Sequence, residues 1–238
     1  YFSRVSGSFA LGMSIFSVVF LASAILEIPT GIFGDRIGKK QTMLVGTAIG
    51  VVSTICYAIG VSYWWLVAGA IAEGAARSFY SGNNNAYLHD ILVDHNKGHL
   101  FHDYLGKVGA MFQIALAISA LLGGFIAEWS FTLVVWLNVI PAVLKLFVTL
   151  LLPEPVKRTS TSSNIYSHLL EAIKLFIKNK ELRIFSIAGM LSYALRESKY
   201  QFRAAFVSTL WPIWALGISS MLSNLGAALS FYFSGKFI

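Results

Sequence analysis

Long apolar runs constrain this chain more than any other feature of its sequence. A helix needs about 20 consecutive apolar residues to cross the hydrocarbon core of a bilayer. Only 12% of the residues are charged, against roughly 25% in an ordinary soluble domain. We therefore predict an all-α membrane protein with seven spans, at approximately 8–33, 41–61, 64–92, 105–127, 130–152, 182–208 and 212–235.

The basic residues between these runs predict the orientation of the chain in the membrane. Lysine and arginine lie in the 34–40 loop and in the long connection 153–181, whereas the short connections around 61–63, 128–130 and 209–211 have none. Loops rich in lysine and arginine stay on the cytoplasmic side. We therefore expect both basic segments to be cytoplasmic, in an integral protein of a plasma membrane of the bacterial inner-membrane type. The net charge of +7 is explained by this asymmetry, so the expected partner is the lipid bilayer and not nucleic acid.

The connection 153–181 divides the spans into five and two. Pro153 and Pro155 cannot continue a helix, and the serine- and threonine-rich stretch 158–164 has the composition of a flexible linker. Residues 165–181 alternate apolar and charged faces at helical spacing, which predicts a helix on the inner membrane surface. The predicted domains are 1–152, the linker 153–181 and 182–238.

A short charged turn joins the first two spans. Glycine permits the close helix packing and tight reversal that such a turn needs, and the paired lysines mark the cytoplasmic side. The residues that define the turn are Gly31, Asp35, Arg36, Gly38, Lys39 and Lys40.

These six positions resemble the G-x-x-x-D-R-x-G-[RK]-[RK] motif that lies between spans two and three in the major facilitator superfamily of transporters. The resemblance implies a partial superfamily-type helical bundle covering spans two to eight of twelve. Residues 1–152 would then form most of the N-terminal six-helix half without its first span, and 182–238 would begin the C-terminal half. The linker 153–181 falls between spans six and seven, where the resemblance requires it.

The resemblance also implies a role for the loop in the transport cycle. We expect Asp35 to cap the N-terminus of the following helix, and Arg36 to pair with an acidic side chain at a nearby inner helix end, Asp90. Such loops stabilise the outward-open state in the superfamily.

Ionisable residues inside two of the runs predict a polar cavity. Each costs about 2.5–3.5 kcal/mol near the bilayer centre, so they must face water or one another. The expected cavity residues recur at helical spacing and are Glu73, Arg77, Tyr80 and Asn84 on the third span and Arg196 and Lys199 on the sixth, with Glu197 beside them.

Two alternatives remain open for these charges. Glu73 and Arg77 could simply neutralise one another as an i,i+4 pair, and Lys199 could extend to the outer interface. Glu27, just before Pro29, could either line the cavity or bond across to a neighbouring helix.

The favoured function is secondary active transport of a small solute by alternating access, as a symporter or antiporter. A positively charged cavity with Arg77 and Arg196 as carboxylate or phosphate clamps favours an anionic solute, and multidrug-type efflux is the other substrate class considered. Glu73, with Glu27 behind it, is the candidate for proton coupling. The rival class, suggested by the span count, is a seven-helix receptor or signalling protein.

No enzyme activity, cofactor or metal site is expected from the sequence. No catalytic triad is recognisable, and the histidines around one inner loop lack a closed set of ligands. These are His89, His95, His99 and His102.

Overall fold

The computed structural model describes residues 1–156, 171 and 174–237. All regular structure in these residues is helical, as predicted. The α-helices are α1 (Phe2–Ser6), α2 (Phe9–Ile37), α3 (Lys39–Ile59), α4 (Tyr63–Tyr80), α5 (Asn83–Asp94), α6 (Phe101–Trp129), α7 (Phe131–Leu137), α8 (Val139–Leu151), α9 (Lys180–Val207) and α10 (Ile213–Phe237), with a 3₁₀ turn at Gly98–Leu100.

Each of the seven predicted spans coincides with helix. Within the described residues, five helical segments are long and apolar enough to cross a membrane. The two remaining predicted spans are 64–92, which contains α4, and 182–208, which lies almost wholly on α9; they are less apolar because they carry the charged residues predicted to line the cavity. The five segments are Phe9–Gly34, Lys39–Ile59, Gly98–Trp129, Phe131–Leu151 and Ile213–Ser234.

The third predicted span, 64–92, is not one continuous helix. It breaks after Tyr80, and Gly82 adopts a left-handed conformation with φ of 67° before α5 begins. Glycine reaches this region without the steric cost that a Cβ imposes. The polar stretch 81–85 marks this break in the sequence, but the predicted span extended through it because Asn84 continues the helical spacing of Arg77 and Tyr80.

The fifth predicted span is also interrupted, between α7 and α8 at Asn138. Pro141 has no backbone N–H to donate to the carbonyl four residues earlier, at Leu137, which is the last residue of α7. The proline therefore explains the local interruption of helical hydrogen bonding, while the backbone of Asn138 stays in the right-handed helical region with φ of −66° and ψ of −19°.

The chain divides into two compact units. The first comprises 1–157 and 217–238, and contains α1 to α8 with most of α10; the second comprises 158–216 and contains α9. In the first unit, α4 packs against both α2 and α3, and α3 also packs against α7 and α8. The core between α2, α3 and α4 is formed by Ile15, Val19, Tyr57, Leu66 and Ala70.

Two glycines of α4 allow this close packing. A Cβ placed on Gly74 would lie 2.5 Å from the carbonyl oxygen of Val19 on α2, and one on Gly69 would lie 2.7 Å from the ring of Tyr57 on α3. Lipid tails are as apolar as the side chains, so helix association in a membrane depends on such close van der Waals contact. The outer surface of the unit is correspondingly apolar, with residues such as Leu21, Ile25 and Met111 more than 60% exposed.

The predicted flexible stretch 158–164 and eight of the seventeen residues of the predicted interfacial helix 165–181 lie outside the described residues. Within that helix, residues 174–178 are helical. The predicted domain boundaries therefore remain predictions.

Candidate functional site

A cavity of about 480 Å³ lies within the first unit, lined by α3, α4, α7 and α8. Small-molecule sites in proteins commonly have volumes of about 300–1,000 Å³. Its ionisable lining residues are Glu73 and Arg77 on α4 and Lys145 on α8, with Tyr57 on α3 beside them. The cavity therefore combines polar side chains from three helices inside an apolar bundle.

Glu73 is held from two helices. Arg77 Nε and Nη2 both donate to Glu73 Oε1, at 3.0 and 2.7 Å, and Tyr57 Oη donates to Glu73 Oε2 at 2.9 Å. The Arg77 guanidinium also lies 5.5 Å from the ring centre of Phe20 on α2, within cation–π range. The i,i+4 pairing that the sequence left as an alternative is thus present, and both residues line the cavity as well.

Lys145 is a cavity residue that the sequence reasoning missed. Its Nζ, on α8, lies 3.8 Å from the ring centre of Tyr80 on α4. Among the described residues, no carboxylate oxygen lies within the 4.0 Å ion-pair distance of this ammonium. An ionisable residue inside the run 130–152 was a signal that could have found it, because such residues are rare in spans and usually functional.

Three hydroxyl groups of α3 that line the cavity all donate to backbone carbonyls. Ser53 Oγ donates to the Gly69 carbonyl at 2.8 Å, Thr54 Oγ1 to Val51 at 2.8 Å, and Thr47 Oγ1 to Leu44 at 2.8 Å and to Met43 at 3.0 Å. Because each hydroxyl donates its single hydrogen to a backbone carbonyl, its oxygen can otherwise act only as a hydrogen-bond acceptor. Thr47 and Thr54 are seven residues apart, and Ser53 and Tyr57 are four apart, so these hydroxyl groups lie toward one side of α3; they were a second missed signal.

Asn84, a predicted cavity residue, and Glu27, for which lining the cavity was one of two alternatives, do not line this cavity. Asn84 follows the break at Gly82, so it does not continue the polar stripe of Glu73, Arg77 and Tyr80, and it is exposed on α5. Glu27 is exposed on α2 and is not part of the cavity lining.

The basic residues predicted on the sixth span lie on α9, in the second unit. The Arg196 guanidinium lies 5.5 Å from the ring centre of Tyr193, and Glu197 Oε1 accepts a 2.7 Å hydrogen bond from Gln201. Lys199 is exposed. That these residues share a cavity with α4 remains a prediction.

The charged turn between α2 and α3 differs from its predicted geometry. Asp35 lies in the last turn of α2, so the N-cap of α3 is Gly38, with φ of 98°, and not Asp35. Asp90 is paired as expected, but its partner is Lys39 and not Arg36. The reason is that Lys39 begins α3, which packs on α5, whereas Arg36 still belongs to α2.

A second contact ties the same turn to the start of α5. Asn83 Nδ2 donates to the Lys39 backbone carbonyl at 2.8 Å. That the turn between α2 and α3 stabilises the outward-open state remains a prediction.

Comparison with protein families decides what kind of chain this is. The model of the Major Facilitator Superfamily matches residues 3–238. The chain belongs to this superfamily. The six-residue motif, the helical bundle and the apolar spans are therefore those of an integral membrane protein of a transporter superfamily.

Curated relatives of this superfamily member are also named as transporters. It is 22% identical to an uncharacterized transporter of Buchnera aphidicola over 72% of the chain and 43% of that protein. It is 25% identical to solute carrier family 2, facilitated glucose transporter member 10, of Xenopus tropicalis over 58% of the chain and 24% of that protein. The inner membrane transport protein YajR of Escherichia coli is 27% identical over 45% of the chain and 22% of that protein.

The superfamily member spans less than half the length of these relatives. No solved structure matches it.

Proposed function

We propose that this chain is part of a secondary active transporter that moves a small polar solute by alternating access. The observation that carries the proposal is the cavity in which Tyr57, Glu73, Arg77 and Lys145 meet inside an apolar bundle. Superfamily membership and the transporter names of the relatives favour transport over the receptor alternative.

The energetic cost of the cavity charges supports a functional role. Three ionisable side chains facing hydrocarbon would cost about 2.5–3.5 kcal/mol each. The Glu73–Arg77 pair offsets part of this cost, but side chains that line a cavity of this size can also be hydrated. A hydrated polar cavity between spans is what a solute path through a bilayer requires.

Glu73 is the proposed proton-coupling residue. Its carboxylate is stabilised by Tyr57 from α3 and by Arg77 from α4, and the other charged group lining the cavity is Lys145 on α8. Protonation of Glu73 would remove its charge and free the Arg77 guanidinium for other partners. Proton binding and solute binding would then be linked through Arg77.

Transport by the reconstituted full-length protein tests this proposal. We expect an imposed proton gradient to drive solute accumulation in proteoliposomes of the wild-type protein. Glu73→Gln should abolish that dependence, because glutamine cannot carry the proton, while solute exchange without a gradient should persist. The measurement is labelled-solute uptake with and without the proton gradient.

The matched control is Asp103→Asn. Asp103 accepts a 2.7 Å bond from Lys107 in an i,i+4 pair on α6, and the exposures of this pair, 28% and 45%, are close to the 32% and 48% of Glu73 and Arg77. Wild-type proton dependence in Glu73→Gln, or its equal loss in Asp103→Asn, would contradict the coupling role. Absence of solute movement by the wild-type protein would contradict the transport proposal itself.

A further inference from the structure

We propose that Lys145 binds an anionic group of the transported solute, which makes the substrate a small carboxylic acid or phosphate ester. This inference rests on the proposed transport function and concerns the same cavity. It differs from the sequence-based expectation, in which Arg77 and Arg196 hold the anion.

The distribution of charge in the cavity favours Lys145 over Arg77. Arg77 directs two N–H groups to one oxygen of Glu73, so the charges of this pair largely cancel. The remaining ionisable lining residue is Lys145, which has no carboxylate within ion-pair distance among the described residues. The cavity lining therefore carries a net positive charge, located on α8.

Lys145 is also positioned to meet a solute. Its ammonium rests against the face of Tyr80, which attracts a cation through the ring quadrupole without consuming its N–H groups as hydrogen bonds. Lys145 is exposed and is one of the residues that line the cavity. A lysine ammonium has three donors, and these remain available to carboxylate or phosphate oxygens.

The part of the cavity lining that α3 contributes would recognise the rest of the solute. Thr47, Ser53 and Thr54 line this side of the cavity and donate to backbone carbonyls, so their oxygens can act only as acceptors; Thr54 is half-buried, whereas Thr47 and Ser53 are only 2% exposed, which makes Thr54 the acceptor that a solute can reach. Acceptor oxygens repel an anion but bind hydroxyl or amino hydrogens. The fitting solute has an anionic group near Lys145 and hydroxyl or amino groups toward α3, as in a hydroxylated acid.

Three six-carbon sugar derivatives of nearly equal size differ in charge: the open-chain acid gluconate and the ring-forming sugars glucose and glucosamine. Gluconate is anionic, glucose is neutral and glucosamine is cationic, and each carries several hydroxyl groups; glucose 6-phosphate adds a phosphate arm. The measurement is the dissociation constant of each compound for the purified full-length protein, from its shift of the melting temperature. We expect gluconate or glucose 6-phosphate to bind more tightly than glucose and glucosamine.

Substitutions of Lys145 test whether this residue causes the preference for anionic compounds. A hydrogen-bonded charge contributes enough that Lys145→Gln should weaken anion binding about 10- to 100-fold, while leaving the weak binding of glucose unchanged. Lys145→Arg keeps the charge and should retain most of the anion preference. The control is Lys107→Gln, which removes a lysine that lies near a tyrosine ring, 5.2 Å from Tyr104, but outside the cavity lining.

The outcomes separate this inference from the proposed function. Equal binding of the three sugars, no binding by any of the four compounds, or an unchanged anion affinity in Lys145→Gln would overturn the role of Lys145. If glucose is nevertheless transported, as the name of the Xenopus relative suggests for that protein, the transport proposal stands and the anion inference falls. Retained gluconate affinity in Lys107→Gln with loss in Lys145→Gln supports the inference.

Discussion

Replacement of Gly74 by alanine is expected to destabilise the bundle severely, and replacement by valine to prevent its assembly. A Cβ at this position would lie 2.5 Å from the Val19 carbonyl oxygen, 2.6 Å from Ala22 Cβ and 2.8 Å from the Ser23 backbone nitrogen. Real Cβ atoms do not approach other atoms this closely. Two of the three neighbours are backbone atoms of α2, which cannot rotate away, so the helices must separate.

The expected loss is larger than for most core substitutions. Overpacking a core costs about 1–3 kcal/mol and sometimes more, and we expect about 3 kcal/mol or more for Gly74→Ala because the whole α2–α4 contact is affected. The measurements are the melting temperature and the monodisperse fraction of the full-length protein in detergent. Gly74→Val should yield little monodisperse protein.

Gly123 provides the matched control for this prediction. It is a helical glycine on α6, and a Cβ there meets nothing within 4 Å. Gly123→Ala should therefore leave the melting temperature close to that of the wild type. A Gly74→Ala protein as stable as Gly123→Ala would show that α2 and α4 do not pack as described.

The second large effect is expected at the Glu73–Arg77 pair. Glu73→Gln leaves Arg77 without its carboxylate, and arginine cannot lose its charge inside a protein. Arg77→Gln leaves Glu73 with the Tyr57 hydroxyl, and a carboxyl group can take up a proton. We therefore expect Glu73→Gln to be the more destabilising single substitution.

A double-mutant cycle measures this coupling. Breaking a fully buried ion pair costs about 3–5 kcal/mol, but these side chains are 32% and 48% exposed, so about 1–2 kcal/mol is expected for each single variant. The double variant Glu73→Gln/Arg77→Gln should lose less than the sum, because neither charge is left unpaired. Strictly additive losses, or an equal coupling in the Asp103–Lys107 cycle, would contradict a special role for the cavity pair.

The positions of the helices could be predicted from the sequence because apolar length and charge placement act locally. The breaks at Gly82 and Asn138 were not predicted. A hydrophobic run continues across Asn138, where the proline's missing donor interrupts the helix. At Gly82 the run is instead replaced by the polar stretch 81–85, and the glycine conformation ends the helix there. Asp90 pairs with Lys39 and not with the predicted Arg36, because α2 continues to Ile37 and so includes Arg36.

The candidate site was predictable only where charges share one helix. Glu73, Arg77 and Tyr80 follow one another at helical spacing, so a single sequence reveals their common face. Lys145 and Tyr57 join them from other helices, and their proximity depends on how α3 and α8 pack against α4. Helical spacing within one segment contains no information about that packing.

Accessibility of Thr54 to a membrane-impermeant thiol reagent tests most directly whether this cavity is a hydrated solute path. Thr54 lines the cavity, whereas Val52, two residues away on α3, is 55% exposed on the outer surface of the bundle and does not line it. In a background with the single cysteine, Cys56, replaced by serine, we predict that Thr54→Cys reacts with the reagent, that a transported solute slows the reaction, and that Val52→Cys stays unreactive within the lipid. A Thr54→Cys protein that is unreactive from both sides of the membrane, or that reacts no faster than Val52→Cys and without solute protection, would contradict a water-filled transport cavity at this site.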